Sequence, residues 1–471
     1  MPADQDTHPL ATAERAAVAL AFITVTFTTW AFSGCTPAVP PYMAALSVLS
    51  ALLMILLAWR EGRRPRLWMW LPAAVFFLLV AVALLNPSHT AVDGGKGGWT
   101  SRPEWIAWLP TTIDPQLTLT ALMPWGSAVV LGVGLRCAQL GRRAVNLLWA
   151  LLLISGVVLA LVGIYFRVTE SRLILGLKPD LAGYHFASFP YRNHWGAYAT
   201  LLVALGLGFA FSQLRAWREG RARLQTVLFG ALAALLVAMT VPLTGSRSGI
   251  ILVTTMLVLG LGFFTWRMLR LRPTPRQRGA RRAALAAVLM LIVGLGLGVG
   301  LASAKLEWAW EKTERQWAAQ QFGGEFDLRW HYTKDTVRMA SDRPVWGWGL
   351  GTFEPVFPLY QGDYLRREDG SIYAVVNAAH NDWAQLWAEV GAVGWLVLVL
   401  PAGALLGRGL FSAGSGRRWV ALGCGVVLLG ALAELPFLNP AVLLLWTTMI
   451  ATAAPPARRG GVDEQLQSRQ I

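Results

Sequence analysis

Apolar runs long enough to cross a bilayer, about 20 residues each, recur along almost the whole of this 471-residue chain. In hydrocarbon, every backbone polar group must find its partner inside the protein, which restricts such runs to helices or closed barrels. The runs are continuous rather than alternating, and that selects helices. Composition agrees: 14% of residues are charged, against about 25% in soluble domains. The chain is therefore expected to be an all-α polytopic membrane protein. Its 23 tryptophans fit, since indole favours the headgroup level.

Hydropathy places about twelve spans, at 16–34, 41–59, 67–86, 118–137, 144–165, 194–213, 224–243, 248–266, 283–303, 383–407, 419–434 and 439–455. With this count every arginine cluster falls on one side. The clusters lie at Arg60–Arg66, Arg136–Arg143, Arg215–Arg223, 267–282, Arg408–Arg418 and Arg458–Arg459. By the positive-inside rule that side is the cytoplasm, and both termini belong there. The net charge of +15 is thus a topology signal, and nucleic acid is not expected as a partner. The basic segment 267–282 reads as an anchor touching anionic lipid. Asp4, Asp6 and Glu14 stand where a cleavable signal peptide would carry basic residues, so the first span is expected to be retained. Cys35, Cys137 and Cys424 have neither pair nor metal spacing.

The organisation that follows is a bundle of nine spans over 1–303, a large outer loop over 304–382, three further spans over 383–455, and a cytoplasmic tail over 456–471. The loop is the one long polar stretch in a lipid-soluble chain, and long loops of this kind are usually functional. Residues 306–320, with Trp310 and Trp317, read as an amphipathic helix at the interface. Asp327 to Ser341 reads as a second helix, stopped at Asp342 by Arg343-Pro344. Asp327, Arg338 and Asp342 are expected to be structural ion-pair partners. The run RPVWGWGLGTF (Arg343 to Phe353) lacks the strand–helix context of a dinucleotide fingerprint and reads as a close-packed turn.

Three arginines and a histidine stand out. Arg247 lies in TGSRSG between two spans, on the face that the positive-inside rule leaves poor in cations. Ser246 and Ser248 are placed to add hydroxyl donors to the same anion. Arg192 opens another span beside His194, and Arg329 opens the loop's second helix. His380 precedes Asn381 and Asp382 at the last edge of the loop. An imidazole can take or deliver a proton near neutral pH, while Asn381 or Asp382 would cap the helix that follows. Guanidinium groups bind phosphate in bidentate fashion and keep their charge in a desolvated site. Arginines with one histidine at the outer leaflet therefore point to a diphosphate-bearing lipid. No Asp-rich cluster calls for a metal, and no cofactor is expected. Trp346, Trp348, Trp383 and Trp387 read as an aromatic belt or as a sugar platform.

These motifs resemble the O-antigen ligase and O-antigen polymerase superfamily of bacterial membrane glycosyltransferases. The resemblance rests on TGSRSG at 244–249, DLRWHYTKDTVRMASDRPVWGWGLGTF at 327–353 and AHNDWAQLWAEVGAVGW at 379–395, in that order. It implies a GT-C-like bundle of the inner membrane with a periplasmic active site. It implies transfer of a glycan from undecaprenyl diphosphate to an acceptor hydroxyl, metal-independent and with inversion. Arg247 and Arg329 would hold the diphosphate, and His380 would activate the acceptor. The acceptor would be lipid A core or a similar molecule in a ligase and a second lipid-linked repeat in a polymerase. It would be a protein in an O-oligosaccharyltransferase. Polysaccharide-assembly proteins are possible partners. A glycolipid transporter is the rival from another class. It would carry internal repeats and midplane charges, whereas these charges cluster at the outer face.

Overall fold

The computed structural model describes residues 10–63, 70–92, 98–180, 185–270, 278–279, 282, 325–365, 376–412 and 414–455. The long helices are α1 (Thr12–Trp30), α2 (Val39–Arg60), α3 (Leu71–Leu85), α4 (Pro115–Ala138), α5 (Arg142–Val168), α6 (Arg192–Arg218), α7 (Leu224–Thr244) and α8 (Arg247–Arg270). After the gap come α9 (Glu325–Asp342), the short α10 (Phe353–Val356), α11 (Asp382–Ser412), α12 (Ser415–Gly430) and α13 (Pro440–Ala453). Seven of these are long and apolar enough to cross a membrane, and α3 and α13 are shorter apolar helices. The expected polytopic helical character holds. The expected span 283–303 and the helix 306–320 lie outside the described residues.

Local chemistry sets the helix ends. Asp114 caps α4 by accepting from Gln116 N (2.8 Å) and Leu117 N (3.2 Å), with Pro115 at the first helical position. Asn439 caps α13 through Val442 N (3.1 Å), again with proline next. Gly245, at φ 69°, closes α7 in the left-handed region that glycine tolerates. The reading 419–434 overshoots its helix, because α12 ends at Gly430 and residues 431–439 form a connection.

The central post is α6, packed against α5, α7, α8, α12 and α13. Of its apolar window, 94% is buried. Buried indoles tie the post and its neighbour to the bundle: Trp195 Nε1 donates to Thr240 Oγ1 (2.9 Å) and Trp149 Nε1 to Thr452 Oγ1 (3.1 Å). Two short antiparallel ladders interrupt the helical pattern. One pairs β1 (His89–Ala91) with β2 (Trp99–Ser101), and the other pairs β3 (Leu173–Ile174) with β4 (Lys178–Pro179). Strands this short leave no periodicity to read.

The bundle has two chemically distinct ends. At one, Arg63 donates to Ala138 O (2.8 Å), Arg136 to Ala454 O (2.8 Å), Arg142 to Ser212 O (3.5 Å) and Arg408 to Pro455 O (2.9 Å). Arg63, Arg136 and Arg408 thus satisfy carbonyls left over at or just past helix C-termini. The other end gathers the starts of α6, α8, α11 and α13 and receives α9.

The segment 343–353 is a close-packed turn, as its glycines predict. It fits into a break in α11 at Gly391 (φ 64°, ψ −178°). Trp348 N donates to Ala388 O (3.0 Å) and Gly349 N to Glu389 O (2.8 Å). In return, Ala392 N donates to Pro344 O (2.8 Å) and Val393 N to Val345 O (3.2 Å). Glu389 completes the clamp by accepting from Gly351 N (2.7 Å) and Gln385 Nε2 (3.0 Å). Four backbone groups at the break thus find partners in the docked turn. Beside the turn, Ile113, Met339, Phe353, Val356 and Phe357 form a small apolar core that seats α9 on the bundle.

Candidate functional site

The starts of α6 and α8 meet backbone to backbone. A Cβ on Gly196 would lie 2.7 Å from Gly249 Cα, so neither position accepts a side chain. This contact brings the Arg192 turn and the Arg247 turn side by side. The Arg192 guanidinium lies over Gly245, with Nη1 3.7 Å from where a Cβ would stand. Ser246 caps α8 by accepting from Gly249 N (3.1 Å), which leaves Arg247 as the first helical residue. The Ser246 hydroxyl gives its hydrogen to Asn193 Oδ1 (2.8 Å) and is fully buried.

From Asn193 the chain of hydrogen bonds continues. Asn193 Nδ2 donates to Glu434 Oε1 (3.0 Å) and to Tyr191 Oη (2.9 Å). Arg329 Nη1, from α9, donates to the same Glu434 oxygen (2.7 Å) and to Ala433 O (3.1 Å). One line of contacts thus runs from α8 through α6 and the 431–439 connection to α9. Ser248 and His194 line a small recess with Asn193 and Glu434. His194 hydrogen-bonds the Leu435 backbone and approaches Asn439 Nδ2 (3.5 Å).

His380 stands beside this line. Its backbone is left-handed (φ 53°), a conformation uncommon outside glycine and frequent at functional turns. Asn381 is the helix cap, accepting from Ala384 N (3.1 Å). Asp382 instead holds the 431–439 connection: its Oδ2 accepts from Phe437 N (2.8 Å) and its N donates to Ala431 O (2.9 Å). The His380 ring stacks on Tyr332 of α9 (6.2 Å between centroids, 27°). Arg329 and Tyr332 are three residues apart on one helix face, so α9 presents a guanidinium and an aromatic ring together.

Around the Tyr332 face, Asp335 is buried and accepts from Tyr364 Oη (2.6 Å), Gly362 N (3.0 Å) and Arg338 Nη2 (2.5 Å). Burial, and then the Asp335 carboxylate, push the Tyr364 phenol far above its ordinary range. Tyr364 in turn stacks on His331 (4.7 Å, 27°). Arg338 is a structural ion-pair partner, with Asp335. Asp342 accepts from Tyr360 Oη (2.5 Å), and the Asp327 side chain lies outside the described residues.

Two other histidines lie elsewhere. His185 is held by Asp180 (2.8 Å), and His89 by Ser88 (2.9 Å). Burial and the Arg343 charge hold His89 below its ordinary value. The four tryptophans do not form one platform. Trp346 donates to Trp108 O, Trp348 to Met339 O, Trp383 to Leu428 O and Trp387 to Pro344 O. The face of Trp348 is covered by Arg343 at 3.9 Å.

Two residues of the cluster escaped the reading of the sequence. Asn193 was hidden between more conspicuous neighbours. Glu434 was absorbed into an overlong span, although an acid at a span end is itself a functional signal.

Fold and site together define a helical membrane protein with a cation-rich cluster at the end opposite its arginine collar. Residues 232–399 match the family model described as O-antigen ligase. The motif-bearing part of the chain is thus similar to the O-antigen ligase family over that stretch. The matched stretch includes Arg247, Arg329 and His380; Arg192, Asn193 and Glu434 lie outside it. No curated protein matches the chain.

Proposed function

We propose that this protein is an O-antigen ligase-like glycosyltransferase. It moves a glycan from undecaprenyl diphosphate to an acceptor hydroxyl, with lipid A core as the acceptor. The observation that carries this reading is the convergence at one end of the bundle. Arg329, Asn193 beside Arg192, and Ser246 beside Arg247 are joined by a single hydrogen-bonded line, and His380 adjoins it.

In this reading the three guanidinium groups hold the diphosphate of the donor. His380 accepts the proton of the acceptor hydroxyl as its oxygen forms the new bond to the anomeric carbon. The bond from that carbon to the diphosphate oxygen breaks in the same displacement, which inverts the anomeric centre. Negative charge grows on the leaving diphosphate, and fixed cations in a water-poor site stabilise it most strongly at that moment. The collar of arginines at the opposite end supports a site at the periplasmic face of the inner membrane, with both termini cytoplasmic.

The test is transfer by purified protein given an undecaprenyl-diphosphate-linked glycan in EDTA, with lipid A core present or absent. The expected product needs the core and is lost in Arg247→Ala and in His380→Ala, although both variants remain monodisperse. Longer lipid-linked chains formed without the core would replace this reading with a polymerase. Full activity in Arg247→Ala would sink the diphosphate assignment.

A further inference from the structure

The arginines of the cluster sit on three separate elements, the starts of α6 and α8 and the outer helix α9. The Gly196–Gly249 contact sets the starts of α6 and α8 side by side, but the outer helix α9 still has to be held in register with them. The structure assigns that task to Glu434: its buried carboxylate is the positioning residue of the cationic site. This rests on the diphosphate reading above and adds a residue to it that lies outside the matched family segment.

Four observations support the assignment. A single oxygen, Glu434 Oε1, accepts from both Arg329 Nη1 (2.7 Å) and Asn193 Nδ2 (3.0 Å), tying α9 to α6. Both contacts of Arg329 to the 431–439 connection use Nη1, with Ala433 O as the second acceptor (3.1 Å). One corner of the planar guanidinium is thereby anchored, and a charge-assisted bond fixes its plane. The Asn193 amide spends its nitrogen on Glu434, so its oxygen turns to Ser246, the cap that places Arg247 at the first turn of α8. Finally, Glu434 is 7% exposed, and its Oε2 has no hydrogen-bond partner among the described residues. A buried carboxylate with an unmatched oxygen is costly, which is the kind of cost seen where function holds a residue in place.

The geometry separates positioning from mere charge. In Glu434→Gln the carbonyl can still accept from Arg329 and Asn193, with the amide nitrogen in the place of Oε2. In Glu434→Ala both donors lose the shared carboxylate, while Ala433 O and Tyr191 Oη remain beside them. Glu434→Asp keeps the charge but withdraws it by one methylene.

The experiment is calorimetric titration of the purified full-length protein with farnesyl diphosphate in detergent. Binding should weaken about tenfold or more in Glu434→Ala and in Glu434→Asp, and stay within about threefold in Glu434→Gln. Glu434 acts through Arg329, so in an Arg329→Ala background the Glu434→Ala change should weaken binding by less than about twofold. Melting and gel filtration show whether each variant is folded, and Glu434→Asp carries the test if Glu434→Ala is not. Wild-type affinity in Glu434→Ala or Glu434→Asp would overturn the inference. Tighter binding in Glu434→Ala would also overturn it, since the carboxylate would then be a competitor of the anion. Failure of the wild type itself to bind farnesyl diphosphate would instead sink the diphosphate reading on which the inference stands.

Discussion

Arg329 shows at the residue scale why charge alone does not describe the site. Its guanidinium donates through Nη1 to a carboxylate and a backbone carbonyl on another element, and it belongs to a planar fork that matches phosphate in bidentate fashion, which a lysine ammonium does not. Arg329→Lys should therefore retain the charge and still lose about 10- to 100-fold in kcat/KM, an order of magnitude typical for a misplaced electrostatic group. Initial rates of transfer at varied donor concentration check this. A rate within twofold of wild type would show that a point charge suffices. The same scale marks the limit of what could be read from sequence. Arginines on the cation-poor face and a histidine at a span edge are visible because they violate a bias. Asn193 violates none. Its role depends on a serine at 246 and a glutamate at 434, and only the fold brings these together.

At the scale of elements, the informative feature is the broken helix α11. Glycine-rich RPVWGWGLGTF was legible as a close-packed turn, because alternating glycines announce close backbone approach. The break that receives it was not legible: EVGAVGW reads as uninterrupted helix, and only the docked turn supplies partners for the freed groups. Gly391 holds the break at φ 64° and ψ −178°, a combination almost restricted to glycine. A Cβ there would lie 2.2 Å from Val345 O. Gly391→Ala should therefore cost about 1–3 kcal/mol or more, read as a clear fall in melting temperature in detergent. Gly403, in the same helix, has open space around its Cβ position. Gly403→Ala should leave the melting temperature unchanged or slightly higher, since alanine is the better helix former. Equal effects of the two changes would mean that the turn does not depend on the break.

At the scale of the whole molecule, the argument is one of parity. Hydropathy alone leaves the number of crossings loose, because α3 and α13 are shorter than a typical span and, among the described residues, seven helices meet the length and apolarity expected of one. The ends of the helices constrain it better. Arg63, Arg136, Arg142 and Arg408 come from four different helices or their flanks and bond carbonyls at one end. Ser246, Arg329, His380 and Asn439 gather at the other. One crossing more or less between any two of these landmarks would put an arginine collar residue among the site residues. The chain enters α8 at the site end and begins α9 at the site end; the expected span 283–303 lies between them, outside the described residues. Membrane orientation then reduces to one question, which end faces the cytoplasm. The positive-inside bias favours the arginine collar as the cytoplasmic end, because lysine and arginine resist translocation, and we propose that orientation. Two cysteines introduced into a Cys35→Ser background test the answer. Trp108, 74% exposed, sits on the site-end loop that bonds Trp346. Arg223 sits at the collar end, before α7. A membrane-impermeant maleimide should label Trp108→Cys in intact spheroplasts, and Arg223→Cys only after lysis. The reverse pattern would put His380 and its arginines in the cytoplasm, where a lipid-linked glycan displayed on the outer leaflet could not reach them.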